Sequence, residues 1–372
     1  MSTPPERTPA PAAADDVRRT VEEVLLGGGR LWTRRDIAER SGVTPERTAQ
    51  IWHALGFPAA DDDARVFTDA DVEALRAGER LIGAGLITES SETMMARALG
   101  HHLSRLAEWQ VHTLWVWINQ DTGVLPDPAA LTEHAGTLLA EMELLQRHVW
   151  RRHLAAHAER TLADAEEAAP AGPQPSPGPG RSGQATAREG ADVRARAVGF
   201  TDMVGYTRLT RGLGNAELVR VLDRFESLTG DTVAEGGGQV VKTIGDEVLF
   251  VCGTASEAAD IALELTARAE AERDLPQVRS GLAHGVVLSR FGDVYGATVN
   301  VAARLTAVAR PGTVLVDTAF AGELAGRTDY ALKALRPVSV RGYSRLRPVL
   351  LRSPRPGRQR TGGDGPGPGA PG

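Results

Sequence analysis

Residues 168 to 190 open with Ala-Ala-Pro-Ala-Gly-Pro-Gln-Pro-Ser-Pro-Gly-Pro-Gly, and no other feature constrains the fold of this chain more. Proline removes a backbone donor and clashes with the turn before it, so neither a helix nor a central strand runs through such a stretch. The stretch predicts a linker between two separately folded parts. Length agrees, since 372 residues exceed what one ordinary core serves. So does composition: all 6 Trp precede residue 151, whereas Gly is concentrated after residue 170. The Pro/Ala-rich start, residues 1–14, and the Pro/Gly-rich end, residues 353–372, carry no periodic apolar pattern and predict disordered tails.

The part before the linker, residues 15–167, reads as all-α. Thr33 before Arg-Arg-Asp-Ile-Ala-Glu, Thr44 before Pro45, and Thr68 with Asp71 three residues on are helix starts. Leu138, Met142, Leu145 and Val149 recur at helical spacing and predict one apolar face of a long helix. After the linker, residues 191–352 alternate between patterns. Ala195–Phe200 predicts a strand and Asn215–Ala234 a helix. Apolar runs Gln239–Ile244 and Glu247–Cys252, split by Gly245-Asp246, predict a β-hairpin. A helix over 256–272, a strand near 278–287, a helix near 299–309 and a strand over 313–316 complete an α+β domain with a largely antiparallel sheet.

Several function classes are disfavoured. A single cysteine, Cys252, excludes an internal disulfide and fits a reducing cytoplasm as a core residue. No apolar run approaches the ~20 residues a membrane helix needs, and the N-terminus lacks a signal pattern, so a soluble, cytoplasmic protein with no membrane partner is expected. The net charge of -6 supplies no global field for nucleic acid.

Six polar residues lie in segments spaced far apart: Asp202 in Phe200-Thr-Asp-Met-Val-Gly-Tyr-Thr207, Lys242 and Asp246 in Lys-Thr-Ile-Gly-Asp, and Asp293, Asn300 and Arg304 in Asp-Val-Tyr-Gly-Ala-Thr-Val-Asn-Val-Ala-Ala-Arg. Alone, either metal-type aspartate would read as a turn cap, Lys242 as a strand-edge lysine and Arg304 as a surface arginine. Together, the set resembles the class III adenylyl/guanylyl cyclase catalytic domain over residues 195–352. The resemblance implies a ferredoxin-like α+β core that cyclises a nucleoside triphosphate with two Mg²⁺ or Mn²⁺ ions per site.

It further implies that Asp202, Asp246 and the backbone carbonyl of Met203 hold the ions, since hard cations take oxygen ligands. The turn ending at Thr207 would bring backbone donors to the phosphates. Lys242 and Asp293 would read the base. Adenine offers a donor and an acceptor that match this pair, so ATP is the expected substrate, and guanylyl members usually carry an acidic residue at the Lys242 position. Asn300 and Arg304, one helical turn apart, would orient the ribose and stabilise charge on the α-phosphate. Arg341 falls where the family places a basic residue on the terminal phosphates. In the family, one domain lends the aspartates and the other the base, ribose and phosphate groups, so a chain with both sets implies a head-to-tail homodimer with two shared sites.

The N-terminal part is similar to the helical regulatory domain of actinobacterial class III cyclases, with a segment that looks like a MerR-type helix-turn-helix around Gly42. Arg34, Arg35, Arg40 and Arg47 are its candidate phosphate contacts. Glu39, Glu46 and Asp61-Asp62-Asp63 oppose a DNA footprint, so DNA is disfavoured as a partner. Histidines 53, 101, 102, 112, 134, 148, 153 and 157 all lie here, which predicts an acid-sensitive regulatory bundle, while His284 reads as structural. Two alternatives remain open: a DNA-binding regulator whose cyclase-like domain senses nucleotide, and a guanylyl cyclase.

Overall fold

Threonines start the short N-terminal helices because their hydroxyls satisfy amide groups that the first turn leaves unpaired. The structure, a computed structural model, describes residues 11–120, 128–167 and 192–354. The expected linker and the residues beyond 354 lie outside them. The chain divides into two compact units, Met1–Thr186 and Ala187–Gly372.

The first unit contains α1 (Pro11–Leu26), α2 (Arg34–Ser41), α3 (Pro45–Ala54), α4 (Asp69–Gly83), α5 (Glu89–Gln120) and α6 (Pro128–Glu167). Helix α1 begins within the expected tail, with Pro11 at a first-turn position that tolerates a missing amide hydrogen. Thr33 and Thr68 form capping boxes with Asp36 and Asp71, and Thr44 caps α3 ahead of Pro45. Gly42, with φ 82°, turns the chain between α2 and α3 as expected. Ile37, Val43, Ile51, Phe67, Val72 and Leu75 form a small core, with Trp52 against Phe67 at 4.7 Å between ring centres. The expected apolar face of α6 is only half realised: Leu138 and Met142 are partly buried, whereas Leu145 and Val149 are exposed.

In the second unit the strands are β1 (Asp192–Met203), β2 (Gln239–Ile244), β3 (Glu247–Cys252), β4 (Val278–Arg290), β5 (Asp293–Tyr295), β6 (Val314–Val316), β7 (Ala331–Ala334), β8 (Val338–Val340), β9 (Tyr343–Leu346) and β10 (Val349–Arg352). The helices are α7 (Tyr206–Leu209), α8 (Asn215–Glu235), α9 (Ala255–Ala271), α10 (Ala297–Val308) and α11 (Thr318–Glu323). The main sheet runs β2-β3-β1-β4-β6-β10-β7, with β5 paired to β4 and β8-β9 a separate hairpin. Only β4-β6 pairs in parallel; the other pairs are antiparallel. This is the expected α+β class.

Alternation along the strands divides two cores. Phe250 with Phe225, Ile261 and Leu265 lies against α8 and α9, while Val198, Phe200, Leu249 and Ala283 meet Ala302 of α10 on the other face. Each fully buried Phe contributes about 1.5–3 kcal/mol. Cys252 is buried in the first of these cores, as expected of a core residue. Burial pushes its thiol up to about 12, so it is not a nucleophile.

Candidate active site

Strand pairing brings the two aspartates together. Asp202 is the penultimate residue of β1, between Glu247 on β3 and Arg279 on β4, so it lies within the sheet rather than after it. Asp246 sits at the tip of the β2-β3 hairpin, where Gly245 takes φ 64°. The Met203 amide donates to the Asp246 carbonyl at 3.0 Å, which fixes the hairpin tip to the end of β1. Burial first, and the Asp202 carboxylate beside it, raise the Asp246 carboxyl. Glu247 is pushed up to about 7 by burial and then by the charges of Asp202 and Asp246.

Three carboxyls thus face one guanidinium. Arg279 Nε donates to Asp202 Oδ2 at 2.8 Å and Nη2 reaches the same oxygen at 2.6 Å. The surplus of negative charge and the hard-oxygen donor set fit a divalent cation. Among the described residues, no group of three or more His, Cys, Asp or Glu could hold a metal ion, so a cation here would need ligands beyond the side chains.

Lys242 Nζ donates to Asp293 Oδ2 at 2.5 Å, joining β2 to the start of β5. A bulge between Val240 and Lys242 shifts the β2-β3 register just before this lysine. Asp293 also accepts from the Val294 amide at 2.8 Å and follows a turn in which Phe291 and Gly292 both have positive φ, 53° and 77°. Asn300 is exposed on α10, and Arg304, one turn on, has a buried Nε with no partner among the described residues. An orphaned buried donor costs stability unless an acceptor arrives.

Thr207 is exposed in the short helix α7 after Gly205, whose φ is 81°. The Val204 amide is not available for phosphate, since it donates to the Gln277 carbonyl at 2.8 Å. Arg341 is exposed at the tip of the β8-β9 hairpin. Among the described residues, no hydrogen bond or ion pair joins Asp202 or Asp246 to Lys242, Asp293, Asn300, Arg304 or Arg341.

Sequence reasoning missed Arg279 and Glu247. A lone permanent charge in the β4 segment Val278–Leu288 was the available signal for Arg279. Three of the four N-terminal arginines named as candidate phosphate contacts have partners within their own unit. Arg34 pairs with Asp62, Arg40 stacks on Trp32 at 3.4 Å, and Arg47 binds Glu79, Glu89 and Glu92, which leaves Arg35 without such a partner among the described residues. His284 donates its backbone amide to Asp317 at 3.3 Å, and its Nδ1 faces Glu323 at 3.6 Å, a structural setting as expected.

Asp202 and Asp246 at the end of the sheet, and the Lys242–Asp293 pair between β2 and β5, thus lie in one α+β domain. Residues 192–353 match the family described as adenylate and guanylate cyclase catalytic domain, and residues 10–115 match the adenylate cyclase regulatory domain. The chain is 39% identical over 326 residues to an adenylate cyclase of Streptomyces coelicolor, covering 85% of this chain and 78% of the other. It is 35% identical over 351 residues to an adenylate cyclase of Glutamicibacter nicotianae, covering 93% and 85%. Identity is 31% over 314 residues, covering 81% and 74%, to a pH-sensitive adenylate cyclase of Mycobacterium tuberculosis. The chain belongs to the adenylate and guanylate cyclase family. No described helix is long and apolar enough to cross a membrane.

Proposed function

We propose that the protein is an adenylate cyclase converting ATP to 3′,5′-cyclic AMP and pyrophosphate at two equivalent sites shared across a head-to-tail homodimer, with two Mg²⁺ or Mn²⁺ ions per site. The observation that carries this reading is the convergence of Asp202 and Asp246 in a surplus of negative charge. Family and relatives support the enzyme class. The bound cations would lower the barrier to ribose hydroxyl deprotonation and neutralise the departing pyrophosphate.

In the reaction, the ribose O3′ gives its proton to solvent and bonds to the α-phosphorus, while the bond from that phosphorus to the bridging oxygen breaks and releases pyrophosphate. Asp202 and Asp246 would hold the cations, with the Met203 carbonyl as a further ligand. Lys242 would donate to the adenine acceptor and Asp293 accept from its amino group, and the three ammonium donors and two carboxylate oxygens let their mutual bond persist beside the base. Asn300 orients the ribose. Arg304 would offer its guanidinium to charge developing on the α-phosphate. Thr207 and Arg341 meet the outer phosphates.

In a shared site Asp202 and Asp246 would come from one copy and Lys242, Asp293, Asn300 and Arg304 from the other. Mixing Asp202→Ala with Asn300→Ala protein tests this. Each variant alone is inactive, and heterodimers regain one intact site in two. A mixture as inactive as its components refutes the shared site.

The N-terminal unit is the regulator, and its histidines make it acid-sensitive. The pH-sensitive relative supports this. Partial desolvation, and then the charges of Arg160 and His153, hold His157 below its ordinary value although it is exposed on α6, so it gains its charge only on stronger acidification. Replacing His153 and His157 by Gln in the full chain changes the pH-activity profile. An unchanged profile removes these two residues as the sensor.

A further inference from the structure

We propose that Arg279 is a positioning residue that occupies one oxygen of Asp202, Oδ2, and thereby sets how tightly the site binds its cation. The inference rests on the reading of Asp202 as a cation ligand. Both Arg279 contacts with Asp202 land on Oδ2, from Nε at 2.8 Å and from Nη2 at 2.6 Å. The pair is largely withdrawn from water, with side chains 31% and 14% exposed. The remaining terminal nitrogen, Nη1, donates to the Ala307 carbonyl at 3.2 Å, in the last turn of α10. A guanidinium has a planar fork with no rotational freedom among its donors. Fixed at one end by α10 and at the other by Asp202, this one is a built part of the site rather than a mobile surface group.

Two consequences follow for a cation. At Oδ2 it would compete with two charge-assisted hydrogen bonds, and at either oxygen it would bind beside a permanent positive charge. Both lower its affinity. Arg279 also offsets negative charge beside Asp202 when no cation is bound. A neutral hydrogen-bonding side chain at 279 keeps the packing while removing the repulsion.

Mn²⁺ binding to the full-length protein without nucleotide, measured as free Mn²⁺ by electron paramagnetic resonance, tests this. Wild type binds Mn²⁺ and Asp202→Ala does not; if wild type fails to bind, or Asp202→Ala binds equally well, the cation reading of the site is what fails. Given that control, Arg279→Gln binds Mn²⁺ about 10-fold more tightly or better, while Arg279→Lys, which retains the charge, stays within about 3-fold of wild type. A merely structural role would weaken binding in both. Arg279→Gln affinity equal to or below wild type, with an unaltered circular dichroism spectrum, overturns the proposal. If Arg279→Gln does not fold, Arg279→Met provides the neutral variant. Should neither fold, Arg279 is a structural strut and the proposal is equally overturned.

Discussion

Replacing Gly281 by alanine moves the helix that carries Asn300 and Arg304. Gly281 lies on β4 beneath α10, and a Cβ there would stand 2.3 Å from the Thr306 amide nitrogen, 2.5 Å from the Ala302 carbonyl oxygen and 2.6 Å from Thr306 Oγ1. Two of these are backbone atoms, so no rotamer change relieves the clash, and α10 must retreat by about 1 Å to restore ordinary contact. Overpacking of this kind costs about 1–3 kcal/mol. Displacing two reacting-centre residues by about 1 Å lowers kcat on the order of 100-fold. The assay is kcat with saturating Mn²⁺ and ATP, beside urea unfolding of the same protein. Gly230→Ala is the control: Gly230 lies inside α8 with nothing within 4 Å of its would-be Cβ, so alanine there gains about 0.5–1 kcal/mol and leaves kcat unchanged. Wild-type kcat and an unchanged unfolding midpoint in Gly281→Ala would refute the claim that close approach of α10 to β4 positions the two side chains.

Arg47→Ala strips Glu79, Glu89 and Glu92 of their shared partner, and Glu92 is only 12% exposed. A loss of about 2 kcal/mol is expected after allowing for solvent at Glu79 and Glu89. Tryptophan fluorescence reads this unit alone, because all 6 Trp precede residue 151; an unshifted urea midpoint counts against the bridge. Glu247, held at about 7 against an ordinary 4.5, keeps its proton in the folded chain where the unfolded chain has lost it. Stability without divalent cation therefore falls as pH rises from about 4.5 to 7. Glu247→Gln removes that slope and, discounted for partial exposure, gains about 1–2 kcal/mol at alkaline pH. Equal pH slopes in thermal unfolding of the two proteins would contradict this.

Elements with strong periodicity or strong punctuation were legible in the sequence. The β2-β3 hairpin and the ends of α2, α3 and α4 follow from Gly245, Gly42 and the capping threonines, all of which act within a few residues of themselves. Short elements were not. Strands β7, β8 and β9 have 3 or 4 residues each with mixed exposure, too few for an alternating pattern to emerge. At the candidate site, the residues carried by local motifs were visible, and the ones that owe their place to distant pairing were hidden. Arg279 meets Asp202 across 77 residues of sequence, and only strand register reveals the pair. The opposite error arose in α6, where helical spacing predicted an apolar face that Leu145 and Val149 leave open to solvent. Spacing shows which residues share a face, not whether anything covers it.

The bulge ahead of Lys242 absorbs one residue of β2 without moving the hairpin tip. Lys242 stands opposite Leu249, Thr243 opposite Val248 and Ile244 opposite Glu247, a register set from the turn at Gly245-Asp246, while Val240 meets Phe250 on the other side of the extra residue. Excising Val241 therefore straightens the edge strand and leaves the lysine where it is, so a change of chain length is tolerated at this one place in the hairpin.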